Sequence, residues 1–172
     1  MTTRMMTLIV MVLGAAFSRM IPHPWNFTAI GAMALFGGAY FSDKRLSMAV
    51  PLAALMLSDL FLGGFHSTTF FVYAAFALIV MMGWYLTEKK SVARIGGLSL
   101  VASSVFFLIS NLGVWIMDGM YAPTFKGLVE CYVAAIPFFG YQVAGDLFFS
   151  AVMFGGYELV KKYAFSPAGK LA

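Results

Sequence analysis

Residues 68–117 read TTFFVYAAFALIVMMGWYLTEKKSVARIGGLSLVASSVFFLISNLGVWIM: two apolar runs, Thr68 to Leu86 and Ile95 to Met117, on either side of a basic turn from Glu88-Lys89-Lys90 to Arg94. A helix of about 17 to 25 residues crosses a hydrocarbon core of roughly 30 Å. Each run therefore reads as a membrane span, the second long enough to cross with some tilt. The same alternation extends outward in both directions. Ahead lie apolar runs at about 5–20, 26–41 and 46–62, separated by Ile21-Pro22-His23-Pro24 and Ser42-Asp43-Lys44-Arg45; behind lies one at about 141–161. Prolines remove backbone donors and restrict the residue before them, so Pro22 and Pro24 are expected to break the chain between the first two runs. The 172 residues are 62% hydrophobic, 17% aromatic and 10% charged, which accommodates about six spans and no soluble domain. The expected fold is all-α: one integral membrane domain over 1–172, a compact bundle of six transmembrane helices.

The interval from Asp118 to Gly140 breaks the pattern. It mixes polar and apolar residues and contains Pro123 and Pro137, so it reads as a long outer loop carrying a short, half-buried helix near Leu128 to Ala135. A connection of that length is usually functional. In the second run, Gly31, Ala34 and Gly38 recur at three- and four-residue spacing, which predicts close helix packing.

Charge sets the orientation. With six spans and the N-terminus in the cytoplasm, Arg4, Lys44, Arg45, Lys89, Lys90, Arg94, Lys161, Lys162 and Lys170 fall inside, leaving Arg19 and Lys126 outside. Basic residues in short loops favour the cytoplasm, so both termini are expected there. The net charge of +4 is spread over these loops and does not form a phosphate-binding stripe, which argues against nucleic acid as a partner. Met5 to Phe17 resembles a signal peptide, but no small-residue cleavage site follows and the chain runs on into another span.

The same topology gathers polar residues near the outer face: Arg19, His23, Asn26, Asp59, His66, Asn111, Trp115, Asp118, Glu130, Cys131, Tyr132 and Asp146. Ionisable groups within a span cost about 2.5 to 3.5 kcal/mol on insertion scales, so Asp59 and Asp146 are expected to face inward or to be paired. Asp59 either pairs with Arg19 or orients a ligand. Asp146 either lies at a helix N-terminus, where the dipole favours a carboxylate, or belongs to the site. Asn111 binds a neighbouring helix or a ligand. His23 and His66 are loop caps or ligand contacts; a metal would need a third convergent donor such as Cys131 or Glu130, and the spacing is not diagnostic of one. Trp25 and Trp115 suit an interfacial aromatic belt. Glu130-Cys131-Tyr132 followed by Pro137-Phe138-Phe139 has the composition of an aromatic lid. The single cysteine, Cys131, allows no internal disulfide and has no evident base beside it, so it reads as a small apolar residue. The binding candidates are Arg19 and His23 for an anionic or carbonyl group, Asp59 and Asn111 for orientation, and Trp115, Tyr132 and Phe139 for stacking. Asn26, His66, Glu130 and Asp146 complete the set, with no catalytic or metal role and no cofactor.

No nucleotide-binding glycine motif is present, so a transporter built on this chain takes its energy from a partner. The chain is also too short for the paired inverted repeats of many secondary transporters, and it shows no internal duplication. An enzyme is the least favoured class, because no nucleophile and base pair up.

The stretch from Ser18-Arg19-Met20-Ile21-Pro22-His23-Pro24-Trp25-Asn26 to Gly37-Gly38-Ala39, together with Pro51 to Ser58-Asp59, resembles an uncharacterised family of small bacterial membrane proteins described as transport proteins. Leu128-Val129-Glu130-Cys131-Tyr132, Pro137-Phe138-Phe139 and Gly145-Asp146-Leu147-Phe148-Phe149 fit the same family, so the likeness covers nearly the whole chain. In size, helix number and inward termini that family is similar to the S-components of energy-coupling-factor vitamin transporters. What the resemblance implies is an outward-facing pocket in a bacterial inner membrane that captures a small vitamin-like nutrient, with a separate coupling membrane subunit and ATPases driving release. The competing expectation is a structural accessory subunit of a larger membrane complex, docked through its small-residue helix faces.

Overall fold

Thr2 begins the first helix of this computed structural model, which describes residues 2–164: its side chain accepts a hydrogen bond from the Met5 N–H at 3.3 Å, satisfying a donor that has no partner within the helix. Six helices follow in order: α1 (Thr3–Phe17), α2 (Ile30–Tyr40), α3 (Lys44–Phe61), α4 (Thr69–Gly83), α5 (Val92–Met117) and α6 (Phe125–Ala164). Asp43 and Ser91 cap α3 and α5 in the same way as Thr2 caps α1. Short 3₁₀ turns, Ser18–Met20 and Trp84–Leu86, prolong α1 and α4. There is no strand among the described residues. Four helical stretches, Thr3–Met20, Thr69–Leu86, Val92–Met117 and Phe125–Ala164, are long and apolar enough to cross a membrane, so the chain is a helical membrane protein by length and composition. The other two helices differ in kind. α3 carries Lys44, Arg45 and Asp59, and α2 has 11 residues.

α2 is the axis of the bundle. Every residue from Gly31 to Tyr40 is buried, and α1, α3, α4, α5 and α6 all pack against it. Its small residues make this possible. A Cβ on Gly38 would run into the backbone of Val80 and the Cα of Gly83 on α4, and one on Gly37 would run into the Pro51 ring of α3. The three- and four-residue spacing read in the sequence thus serves close backbone contact inside the fold.

The end of the bundle at the α1 N-terminus gathers basic residues. Arg4 donates to the Tyr157 hydroxyl at 3.1 Å, Tyr40 donates to Glu158 at 2.6 Å, and Lys161 pairs with Glu158 at 2.8 Å. Lys44 and Lys90 sit 4.9 and 5.0 Å from the ring centroids of Trp84 and Tyr40. At the opposite end lie Arg19, Asp59, Ser67 and Asp118, with Ser67 donating to Asp118. The alternation of ends implied by the loop charges is thus present in the bundle, although Lys170 lies outside the described residues.

Two expected boundaries are corrected. The second helix starts at Ile30 and not at Asn26, because Asn26 adopts a left-handed φ of 61° and the chain turns through Phe27 N–H to Pro24 C=O and Thr28 N–H to Asn26 C=O, each 3.0 Å. The segment 118–140 is not a long loop with an isolated helix. From Phe125 onward it forms the first turns of α6, a continuous helix of 40 residues, roughly 60 Å long at 1.5 Å per residue. The half-buried stretch near Leu128 to Ala135 is real, with Gly127 and Cys131 buried and Glu130 and Val133 exposed, but it belongs to this helix. Pro137 forgoes a single backbone hydrogen bond there, which helices of membrane proteins tolerate where neighbouring groups compensate.

Candidate functional site

Arg19 leaves the 3₁₀ turn after α1 and reaches the last turns of α3, where its Nη1 donates to Asp59 Oδ1 and to Ser58 Oγ, both at 2.6 Å. The side chains are 15% and 14% exposed, so the pair is largely withdrawn from solvent, and such pairs need further hydrogen bonds to offset desolvation. Tyr73 of α4 supplies one, donating to Asp59 Oδ2 at 2.9 Å. Both carboxylate oxygens are therefore engaged. Among the described residues no partner is assigned to Arg19 Nε or Nη2. These groups line a cleft of about 220 Å³ together with His66, Thr68 and Thr69, the Thr69 hydroxyl accepting from the His66 N–H at 2.7 Å. A half-committed guanidinium beside a loop histidine can receive a carboxylate or carbonyl oxygen.

A second polar cluster lies deeper, between α5 and α6. Asp146, 3% exposed, accepts from Ser103 Oγ at 2.6 Å and meets the backbone N–H groups of Gly31 and Ala32 in the first turn of α2. Ala29 at the N-cap of α2 offers no side-chain bond, so a carboxylate from another helix takes that role. Gln142 donates to the Ser103 carbonyl at 2.9 Å, and the Ser99 and Ser150 hydroxyls meet at 2.9 Å. Asp146 thus stands mid-way along its own helix yet at the N-terminus of another. Its partners are structural, and Asp146 does not reach the Arg19 cleft.

The C-terminal half of α5 and the N-terminal half of α6 form a third group. Asn111 donates to the Phe107 carbonyl of its own helix at 2.8 Å, and Cys131 Sγ lies 3.5 Å from the Asn111 carbonyl. Tyr132 donates to the Leu108 carbonyl at 2.6 Å, the Phe107 and Phe139 rings are 4.8 Å apart, and Trp115 donates to the Ala122 carbonyl at 3.0 Å. The Cys131, Tyr132 and Phe139 contacts clamp one helix to the other. Cys131, 2% exposed, is packed in this seam, so a maleimide is expected to label the native protein at least about 100-fold more slowly than the protein unfolded in SDS. Comparable rates in the two states, followed by mass shift, would show the seam to be open.

A family described as one of unknown function, DUF6580, matches residues 1–168. The chain belongs to that family. No curated protein and no solved structure matches the chain. In this DUF6580 chain the structure brings together Arg19, Asp59 and His66 from the residues singled out by sequence, and it separates the others. His23 contacts the carbonyls of its own turn, at Pro24 (2.9 Å) and Arg19 (3.2 Å). Asn26 is an exposed turn residue, and Glu130 is exposed with Lys126 at 3.8 Å. Tyr132 and Phe139 serve the α5–α6 seam of the DUF6580 fold, while the Asn111 side chain bonds its own helix and Trp115 the segment that follows it. Among the described residues no three His, Cys, Asp or Glu side chains converge as metal ligands would.

Sequence reading missed Ser58 and Tyr73 in the first cluster and Ser103 and Gln142 in the second. Tyr73 sits in an apolar run with nothing local to mark it. Ser103 and Gln142 did carry a signal, because polar side chains within a span need partners.

Proposed function

We propose that this protein is a membrane-embedded binding component for uptake of a small, vitamin-like nutrient bearing a carboxylate or carbonyl group. The reading rests on one observation: the Arg19–Asp59–Tyr73–His66 cleft, with guanidinium donors to spare, opens at the end of the bundle opposite the basic loops. Its volume of about 220 Å³ is below the roughly 300–1,000 Å³ of sites for drug-sized ligands, which favours a small metabolite. In this proposal the chain crosses a bacterial inner membrane six times with both termini cytoplasmic. A separate coupling subunit with ATPases supplies the energy, as in S-components.

Binding is tested by thermal shift of the purified chain against vitamins and their carboxylated precursors. We expect stabilisation by one class of compound, lost in Arg19→Ala and weakened in Tyr73→Phe. Asn111→Ala should retain it, since that side chain bonds to its own helix. A shift that survives in Arg19→Ala removes the site. For topology, in a Cys131→Ser background, His66→Cys and Glu130→Cys should react with an impermeant maleimide on intact cells, and Lys89→Cys only after lysis. The reverse pattern would invert the bundle and the direction of uptake.

An accessory subunit docked through small-residue faces is the competing proposal. The small residues of α2 are occupied inside the fold, facing Asp146, Pro51 and Gly83, which weakens it. Purification in mild detergent separates the two: stable non-ATPase partners favour the subunit, and an isolable chain that carries ligand favours the binding component.

A further inference from the structure

At the basic end of the bundle, α5 and α6 part to leave a groove of about 370 Å³. Its walls are apolar, from Val92 and Ile95 on α5 to Leu147 and Phe154 on α6, and a Cβ added at Gly96 or Gly155 would meet no atom within 4 Å. One end is different. There Lys90 lies over the Tyr40 ring and donates to the Thr87 carbonyl at 2.7 Å, while Glu158 is already bound by Lys161 and by the Tyr40 hydroxyl. Among the described residues Glu158 is thus the carboxylate that Lys90 shares with Lys161. Burial pushes the pKa of its ammonium down, and the nearby Lys161 and Arg4 push the same way, while Glu158 opposes them. Lys90 and Glu158 line the mouth of this apolar trough, and Lys161 and Arg4 stand close enough behind them to leave the local balance of charge positive.

We propose that this groove binds one phospholipid with a net anionic headgroup, its acyl chain lying against α5 and α6 and its phosphate against Lys90. The shape is that of an amphiphile, apolar along its length and polar at one end. Along α6 the apolar floor from Leu147 to Glu158 is roughly 16 Å long at 1.5 Å per residue, a length suited to an extended chain. Charge selects the headgroup. A zwitterionic choline would bring a second cation to a mouth that already has an excess of them, whereas a glycerol or diphosphatidyl headgroup adds negative charge only. An anion there also favours the charged form of Lys90, which burial disfavours. This site is distinct from the Arg19 cleft at the other end of the bundle and stands whether or not that cleft binds a nutrient.

Native mass spectrometry of the delipidated full-length chain in detergent, titrated with dioleoyl-phosphatidylglycerol or dioleoyl-phosphatidylcholine, tests the proposal. The phosphatidylglycerol adduct should form at about five- to tenfold lower lipid concentration. Lys90→Gln should remove that preference and Lys89→Gln, an exposed neighbour in the same turn, should keep it. Gly155→Leu, which fills the trough, should reduce both adducts, with the melting temperature of each variant showing that it is folded. Equal binding of the two lipids by the wild type, a preference that persists in Lys90→Gln, or an unchanged adduct in folded Gly155→Leu would overturn the proposal. So would equal occupancy by free glycerol phosphate, which would make this a phosphate site with no role for the groove. A co-purifying polypeptide that shields Gly96→Cys from alkylation, in a Cys131→Ser background and unaffected by phosphatidylglycerol, would assign the groove to a partner helix instead.

Discussion

Asp146→Ala is expected to lower the stability of the bundle by about 2 to 3 kcal/mol, the cost of leaving the buried first-turn N–H groups of α2 without their acceptor, while Ser103 Oγ keeps the Ser99 carbonyl at 3.0 Å. The carboxylate serves Ser103 Oγ and the first-turn N–H groups of α2, and α2 has no cap of its own. Water cannot take over those donors, because the side chain that it would replace is buried between α5, α6 and α2. The effect should extend beyond the local loss. α2 is packed by five helices, so loosening its first turn disturbs the whole core. Asp146→Asn keeps a carbonyl oxygen towards α2 and is expected to lose about half as much. Gly31→Ala approaches the same site from the other side, because its methyl group would fall on the carboxylate. The measurement is reversible unfolding in mixed SDS and mild-detergent micelles followed by circular dichroism. An Asp146→Ala protein that unfolds at the wild-type SDS fraction would show that the carboxylate is not the cap of α2.

Gly38→Ala should cost about 2 to 3 kcal/mol by overpacking, even though alanine is the better helix former. The new Cβ would meet main-chain atoms of Val80 and Gly83, and backbone cannot move aside as a flexible side chain would. Gly83→Ala meets Leu35 and Gly38 from the facing helix and should cost a similar amount, so the double variant tests whether the two act on one contact. Gly155 is the control. It has open space around it, so Gly155→Ala is expected to be neutral or to stabilise by up to about 1 kcal/mol through helix propensity. The same unfolding measurement decides the comparison, and equal effects of Gly38→Ala and Gly155→Ala would refute close α2–α4 contact.

Much of the fold was legible residue by residue. The turn at Lys89-Lys90, the turn at Asp43-Lys44-Arg45 and the ends near Arg4 and Lys161 could be assigned to one side from spacing alone, and in the structure these helix ends meet. The pairing of Arg19 with Asp59 was one of two alternatives read for Asp59, and the geometry realises it beside a cleft. The dipole argument for Asp146 was correct in kind but applied to the wrong helix. A sequence shows where a residue stands on its own element, and it does not show that another helix begins beside it. Pro137 misled for a similar reason: a proline costs one hydrogen bond in any helix, and whether neighbours make that cost tolerable depends on what surrounds it. The aromatic lid dissolved with it, since Tyr132 and Phe139 turn out to bind α6 to α5.

The apolar run lengths and the placement of lysines and arginines by themselves determined a helical membrane protein with alternating ends, because the cost of burying charge in hydrocarbon depends on each residue's own chemistry. Tertiary structure alone decided that α2 is a short buried axis capped by Asp146, that Tyr73 joins Arg19 and Asp59, and that Asn111 and Tyr132 do not. Those outcomes depend on distances between residues 14 to 115 positions apart in the chain, set by how glycine and alanine faces allow the helices to approach.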